Sequence, residues 1–265
     1  MPFIISWICV ALFNVSVISG LIVVFHYKPS LAYESVQKLT FLIPYGDIFR
    51  ELHYFSSEAF LLFTCLHVIL ELSKNKLTLS SSSWNYSVVA LVVLFLLMFT
   101  GYVLKADLSG VSAGEVALSM IKQTPFLKYF LPLLQDNSLF IWKFYLWHIL
   151  FLPILLVYAL LLHVKTFRTK YFIVGLGISI ICMMIFTMPA DIVFDTSTIV
   201  HVKGPWFFRG AENLLMLGVQ PLFVTLVLAL PFLFLILYFY KEKYKKVLRY
   251  LLLIWCGVYA LLSFI

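Results

Sequence analysis

Charged side chains are scarce in this sequence of 265 residues. They make up 12% of the chain, while 63% of its residues are hydrophobic; an ordinary soluble domain is about a quarter charged. So little charge cannot cover a globule with polar surface, which excludes a soluble or a disordered protein. The apolar stretches lack the two-residue alternation of barrel strands, which excludes an outer-membrane barrel. The composition therefore predicts an all-α polytopic membrane protein.

Closely spaced cysteines are also absent. The four cysteines all lie inside apolar stretches, and no two have the spacing of a zinc or redox motif. No CxxCH sequence is present, so we expect no covalently attached haem. The net charge of +7 would suit nucleic acid, but in a membrane protein the position of the charge matters more than its sum. We predict no nucleic-acid partner.

Seven apolar stretches are long enough, or nearly so, to cross a bilayer, which takes about 20 residues. They cover roughly residues 3–26, 49–72, 85–104, 140–164, 171–189, 213–240 and 248–265. Residues 105–139 are too polar to span and are predicted to hold short amphipathic helices at the surface. Residues 190–212 form a second long loop, and such loops are uncommon unless they are functional. We divide the chain into a four-helix domain (1–168) and a three-helix domain (169–265).

The basic residues indicate the orientation in the membrane. The short loops after the second, fourth and sixth spans hold ten Lys or Arg against two acidic residues, Glu71 and Glu242. The positive-inside rule places these loops in the cytoplasm. We therefore predict a multi-pass protein of a prokaryotic-type inner (cytoplasmic) membrane, with its N-terminus inside and its C-terminus outside.

Four of the six histidines form a pattern on the second and fourth spans. His53 and His67 lie 14 residues apart, and His148 and His163 lie 15 residues apart. At about 100° and 1.5 Å per residue, each helix carries two imidazoles on one face, about 21–23 Å apart. The two spans run in the same direction, so His53 meets His148 at the outer level and His67 meets His163 at the inner level. Two imidazoles at one depth suit a haem iron, and the pattern predicts two b-type haems.

A different interpretation exists for each histidine alone. A single intramembrane histidine also serves as a polar contact between helices or as part of a proton path. Near-equal spacing on two parallel helices favours the haem interpretation. It assigns the four histidines as the iron ligands in a four-helix haem-binding bundle.

Small residues and one arginine accompany these histidines. The first and third spans each carry a pair of small residues 14 apart, Ser6 with Gly20 and Ser87 with Gly101. Small residues let a bulky macrocycle approach a helix backbone, although they also pack ordinary membrane helices. Arg50 stands one turn before His53, where it would pair with a haem propionate or lie at the membrane interface.

These residues resemble the cytochrome b subunit of quinol–cytochrome c and plastoquinol–plastocyanin reductases. The likeness covers most of the chain. The family's second helix is similar to YGDIFRELH followed by LFTCLHV, and the end of its third helix to FTGYVL. Its fourth helix is similar to FYLWHILFLPILLVYALLLHV, and its quinol-site loop has a counterpart in HVKGPWFF at 201–208.

The resemblance implies a role for each site. The outer histidine pair would hold a low-potential haem and the inner pair a high-potential haem, with Arg168 serving an inner propionate. Quinol would be oxidised at an outer pocket, and quinone would be reduced at an inner one. The outer pocket is predicted to contain His201, Trp206, Phe207 and Glu212. The implied partners are a Rieske-type iron–sulfur protein, a c-type cytochrome with one or several haems, and a second copy of the chain.

Two departures from the family pattern leave the function open. The family's glutamate in the quinol-site loop is absent from residues 204–207, with Glu212 as its substitute, and Lys105-Ala106-Asp107 follows the GYVL sequence. Bifurcating quinol oxidation in a bc-type complex is the first hypothesis. The second is a non-bifurcating electron relay between the quinone pool and a multihaem cytochrome or iron–sulfur subunit. The third is a non-redox proton-coupled transporter or scaffold.

Overall fold

Helices form nearly all of the computed structural model, which describes residues 2–74, 80–131, 140–163, 171–192 and 204–264. The all-α prediction is confirmed for these ranges, which contain no β-strand. In chain order the helices are α1 (Pro2–His26), α2 (Ala32–Leu42), α3 (Gly46–Leu72), α4 (Ser81–Val103), α5 (Leu108–Gln123), α6 (Phe140–Leu146), α7 (Leu152–His163), α8 (Phe172–Ile185), α9 (Arg209–Met216), α10 (Pro221–Tyr240) and α11 (Lys245–Leu262).

Five helical stretches in the described residues are long and apolar enough to cross a membrane. They are Ile4–His26, Gly46–Leu72, Ser81–Val103, Phe140–His163 and Pro221–Tyr240. The fourth stretch joins α6 and α7 through a π-helical turn, Trp147–Phe151. These helices agree with the predicted class of a multi-pass membrane protein.

Two of the seven predicted spans differ from the five membrane-length helices. The fifth is shorter, and the seventh carries basic residues at its start. Helix α8 has 14 residues, or about 21 Å. Its backbone becomes extended at Phe186, three residues before Pro189, and proline disfavours helix in the residue that precedes it. Helix α11 has 18 residues, and its first turns carry Lys245, Lys246 and Arg249.

The predicted apolar stretch 213–240 contains two helices. Helix α9 ends at Met216, and Gly218 follows with a φ of 81°. Glycine adopts this left-handed conformation without a steric penalty. Helix α10 then begins at Pro221, whose fixed φ suits the first turn of a helix. The membrane-length helix therefore starts eight residues later than the pattern of apolar residues indicates.

The chain forms two compact units. One contains Met1–Met98 and His148–Ala190, and the other contains Phe99–Trp147 and Asp191–Ile265. In the first unit, α1 packs against α3, and α8 packs against both of them. In the second unit, α10 packs against α5, α9 and α11. All four histidines of the predicted haem sites lie in the first unit.

Helix α8 approaches the backbone of α1 very closely at one glycine. A Cβ atom added at Gly175 would lie 2.7 Å from the backbone carbon of Ala11. A Cβ atom added at Gly177 would meet nothing within 4 Å. One turn beyond Gly175, the buried Ser179 donates its hydroxyl to the Gly175 carbonyl. The absence of a side chain at position 175 therefore sets how closely the two helices pack.

We expect Gly175→Ala to destabilise the first unit, because the new methyl group pushes α8 away from α1. Overpacking of this kind costs about 1–3 kcal/mol. Gly177→Ala is the matched control, because it gains the same helix propensity of about 1 kcal/mol without a clash. Thermal unfolding in detergent should give a lower midpoint for Gly175→Ala than for Gly177→Ala. Equal midpoints would contradict the close approach.

Candidate functional site

Four histidines form two pairs of imidazole rings in the first unit. In the first pair, the ring centres of His53 and His148 lie 6.2 Å apart, with the ring planes at 88°. In the second pair, those of His67 and His163 lie 6.4 Å apart, with the planes at 67°. Helix α3 contributes one ring to each pair, and the continuous helix 140–163 contributes the other. The structure thus brings together the same residues that the spacing pairs.

A π-helical turn reconciles the unequal spacings of 14 and 15 residues. The turn Trp147–Phe151 begins just before His148, and a π turn contains about one residue more than an α turn. Pro153 follows at once; proline lacks a backbone N–H and its ring clashes with the carbonyl four residues earlier. Because the π turn takes up one extra residue, His148 and His163 are related by about the same angle around the helix axis as His53 and His67 on α3.

The first pair is held by the main chain of two neighbouring helices. Nδ1 of His53 lies 2.9 Å from the carbonyl oxygen of Ser16 in α1. His148 hydrogen-bonds the backbone of Leu97 in α4. A carbonyl oxygen can only accept, so Nδ1 of His53 carries the proton and Nε2 keeps a lone pair for a metal ion.

The second pair lies beside serine hydroxyls on the same two helices. Nδ1 of His163 lies 2.7 Å from Oγ of Ser87 in α4. Nδ1 of His67 lies 3.4 Å from Oγ of Ser6 in α1. Ser6 and Ser87 are predicted from the sequence to be small neighbours of a macrocycle. In the structure their hydroxyls instead lie next to Nδ1 of the two imidazoles.

Both pairs have the spacing of two imidazoles that share one metal ion. A metal–imidazole bond is about 2 Å long and the nitrogen lies about 1 Å from the ring centre, so ring centres on opposite sides of one ion are about 6 Å apart. Among the described residues, no group of three or more His, Cys, Asp or Glu side chains could complete a metal site. A site with two protein ligands suits haem, whose macrocycle supplies the remaining ones. The donor set therefore fits haem and not a closed zinc site.

Gly20 leaves room for the ring of His53. A Cβ atom at position 20 would lie 2.8 Å from Cε1 and 3.0 Å from Nδ1 of His53. The spacing predicts that Gly20 makes room for a macrocycle, and in the structure the nearest neighbour of a Cβ atom at this position is the imidazole of His53. Gly101 lies near the end of α4, and its clearance role stays a prediction.

The two arginines predicted to pair with propionates differ in what the structure shows. Nη1 of Arg50 donates to Oγ1 of Thr40 at 2.8 Å, which joins α3 to α2. Arg168 lies outside the described residues. The propionate role of both side chains stays a prediction.

The predicted quinol-site residues lie partly in the described chain. His201 lies outside it, whereas Trp206, Phe207 and Glu212 are in the second unit. Trp206 is 44% exposed and Phe207 is buried, with their ring centres 5.6 Å apart. Oε2 of Glu212 accepts a hydrogen bond from the backbone N–H of Gly204 at 2.8 Å. The carboxylate at the start of α9 thus holds the beginning of the segment that carries the two aromatic rings.

Asp107 is a buried residue that stands out in the sequence as a departure from the family pattern. Its carboxylate accepts hydrogen bonds from Gly110 N at 2.8 Å, Ser109 Oγ at 2.8 Å and Ile192 N at 2.9 Å. Lys105 Nζ lies 3.2 Å away. The sequence feature that could have revealed this role is an aspartate just before a predicted helix, where it caps the helix N-terminus. Asp107 anchors the residues just before segment 193–203.

The surroundings of Asp107 favour its charged form. Burial raises the pKa of this carboxyl, but the Ile192 N–H, the Lys105 charge and the Gly110 and Ser109 donors together bring the pKa below its usual range. The unfolded value is about 4. Because the folded pKa is lower, the ionised carboxylate adds stability above about pH 4, and this stability is lost as pH falls through the folded pKa.

We expect Asp107→Asn to lower the thermal midpoint at neutral pH, because the amide loses the charge and cannot accept from all these donors. Between about pH 4 and the folded pKa, the variant should also lose less stability than the parent protein does. Glu115→Gln, an exposed site on α5, is the control and should follow the parent. A parallel pH dependence in Asp107→Asn would show that the carboxylate is not the anchor.

The helices and the imidazole pairs define a class of protein. Several membrane-length helices that carry two pairs of imidazole rings are features that suit a membrane haem protein. A family model described as Cytochrome b/b6/petB matches residues 2–171, and the chain belongs to this cytochrome b family. Members of the family bind b-type haem and take part in electron transport.

Relatives with known names are similar to the chain at moderate identity. The cytochrome b6 of Heliomicrobium gestii is 24% identical over 166 residues, which cover 60% of this chain and 78% of the relative. The menaquinol:cytochrome c reductase cytochrome b subunit of Bacillus subtilis is 27% identical over 116 residues, which cover 43% of this chain and 52% of the relative. The resemblance stated from the sequence is confirmed.

A solved structure shares the fold. A chain of a hyperthermophilic respiratory Complex III superposes with a TM-score of 0.69 at 16% sequence identity. The match covers 100% of this chain and 89% of that chain. The likeness therefore extends beyond residue 171, where the family model ends.

Proposed function

We propose that the chain is the di-haem cytochrome b of a bc-type complex and an oxidoreductase subunit that is active only within that complex. It would carry electrons across the bilayer from an outer quinol-oxidising site to an inner quinone-reducing site. The observation that carries the proposal is the spacing of the two imidazole pairs, 6.2 and 6.4 Å between ring centres. Haem supplies reversible one-electron chemistry when bound.

The two haem sites are proposed to lie at different depths in the membrane. His53 and His67 are 14 residues apart on α3, or about 21 Å along a helix axis, within a hydrocarbon core about 30 Å thick. The first pair is the proposed outer site and the second pair the inner one. Arg50 and Arg168 are the proposed propionate partners, in a haem domain that covers residues 1–168.

The outer quinol site is proposed to lie in the loop 190–212 of the C-terminal domain. Trp206 and Phe207 offer aromatic faces against which a quinol ring would stack. Quinol oxidation releases two electrons and two protons, and Glu212 and His201 are the proposed acceptors of the protons. The Gly204 N–H that donates to Glu212 holds the carboxylate in place for this role.

The topology and the partners follow from the same proposal. Helices α8 and α11 would complete seven spans, with the basic loops in the cytoplasm and the N-terminus inside. One relative is named as a subunit of a menaquinol:cytochrome c reductase. The chain would accordingly assemble as a homodimer with a Rieske-type iron–sulfur protein or a c-type cytochrome.

A second candidate is a non-bifurcating relay between the quinone pool and a multihaem cytochrome or iron–sulfur subunit. The residues Gly204, Pro205, Trp206 and Phe207 favour it, because no carboxylate stands among them. Purification of the complex separates the candidates: a Rieske protein supports bifurcation, and a multihaem cytochrome without one supports the relay.

The number of haems tests the proposal directly. We expect a pyridine haemochrome assay on the purified complex to give two non-covalent haems per chain. His67→Leu should lose one of them, because the second pair then has one imidazole, and should keep the haem of the first pair. His26→Leu, at an exposed imidazole that contacts its own helix, should keep both. A parent complex without haem would instead support a transporter or scaffold.

Glu212→Gln tests the outer site. The amide oxygen still accepts from Gly204 N–H, but it cannot take a proton from quinol. We expect kcat for reduction of the acceptor by a soluble quinol to fall at least about tenfold, since a positioned acid–base group contributes about 10²–10⁴-fold. Haem content should not change. Glu242→Gln, whose side chain is 87% exposed, is the control and should retain the parent rate.

A further inference from the structure

The two histidine pairs differ in what accepts the hydrogen bond from the imidazole. The first pair contacts main-chain groups, the Ser16 carbonyl and the backbone of Leu97. The second pair lies beside the hydroxyl groups of Ser87 and Ser6, and His163 also hydrogen-bonds the backbone of Ser83. A backbone acceptor is present whatever residue occupies the position, whereas a hydroxyl acceptor depends on the side chain.

The direction of the hydrogen bond between Ser87 and His163 can be deduced. The Ser87 hydroxyl donates to the carbonyl oxygen of Ser83 at 2.8 Å. A serine hydroxyl has a single hydrogen, so towards Nδ1 of His163, 2.7 Å away, Ser87 Oγ must accept. Nδ1 of His163 therefore carries the proton, and Nε2 keeps its lone pair for the iron.

The other two hydroxyl contacts of the second pair are longer. Ser83 Oγ lies 3.4 Å from Nδ1 of His163, and Ser6 Oγ lies 3.4 Å from Nδ1 of His67. The backbone of Ser83 also lies within reach of His163. Among these three hydroxyl oxygens, that of Ser87 lies nearest to an imidazole of the pair, and it contacts the ring through Nδ1.

A hydrogen bond from the N–H of a ligating histidine increases the basicity of the ligand. A more basic ligand stabilises oxidised iron more than reduced iron, which lowers the reduction potential. We propose that Ser87 is a positioning residue that fixes the tautomer of His163 and lowers the reduction potential of the haem held by the second pair. This inference rests on the proposed di-haem function.

Redox titration of the haem absorbance bands in the purified complex tests the inference. Ser87→Ala should raise the midpoint potential of one haem and leave the other unchanged, because Nδ1 of His163 loses the hydroxyl at 2.7 Å and keeps only its contacts with Ser83. Ser87→Thr should restore the parent potential, since a threonine hydroxyl in a helix can also bond the carbonyl four residues earlier.

Ser16→Ala is the matched control at the first pair. The substitution removes a hydroxyl that lies 2.7 Å from Ser57 Oγ, but it leaves the carbonyl that accepts from His53. Both midpoint potentials should therefore stay at their parent values. A shift of either one would show that loss of any nearby hydroxyl perturbs the haems.

The outcomes separate this inference from the proposed function. Two haems with parent potentials in Ser87→Ala, or equal shifts of both haems, would overturn the role of Ser87 and leave the di-haem proposal intact. A parent complex without haem would overturn the di-haem proposal itself.

If Ser87→Ala binds no haem at the second pair, Ser87→Cys tests the role of Ser87 instead, because a thiol is a weaker hydrogen-bond acceptor than a hydroxyl. A raised midpoint in Ser87→Cys supports the role of Ser87, and an unchanged midpoint overturns it.

Discussion

The helix bundle of the first unit is organised around imidazole groups inside apolar helices. A polar group in the hydrocarbon region must find its partners within the protein, because lipid offers none. An imidazole has two nitrogens to satisfy. In the two pairs, Nδ1 of His53, His67 and His163 faces a neighbouring helix. In these three rings the other nitrogen, Nε2, is the one that the proposed haem iron would bind, and the contacts of Nδ1 involve α1 and α4.

The close packing of the helices follows from the same requirement. His53 reaches the Ser16 carbonyl in α1 only because Gly20 has no side chain where the ring lies. In the same unit, Gly175 lets α8 approach the backbone of Ala11. Substitution at either glycine would separate a pair of helices. Gly20 is therefore part of what positions the imidazole of His53, whereas Gly175 sets the packing of α8 on α1.

Much of the fold and of the site could be predicted from the sequence. Low charge and long apolar stretches predicted the helical membrane class, and five of the stretches are membrane-length helices. The pairing of the histidines followed from their spacing, because helical periodicity is a local property. The break between α9 and α10 was missed, since the left-handed Gly218 interrupts residues that are apolar on both sides. The anchor at Asp107 was missed as well, because its partner Ile192 is distant in the chain.

The sequence by itself determined the class of protein, five of the membrane-length helices and which histidines pair, because composition and periodicity act along one helix. Only the tertiary structure decided what each imidazole contacts. It showed backbone contacts at the first pair, and serine hydroxyls together with the Ser83 backbone at the second. It also showed that the π-helical turn at Trp147–Phe151 brings His148 into register with His53. These features depend on how neighbouring helices approach one another, which spacing within a single helix does not encode.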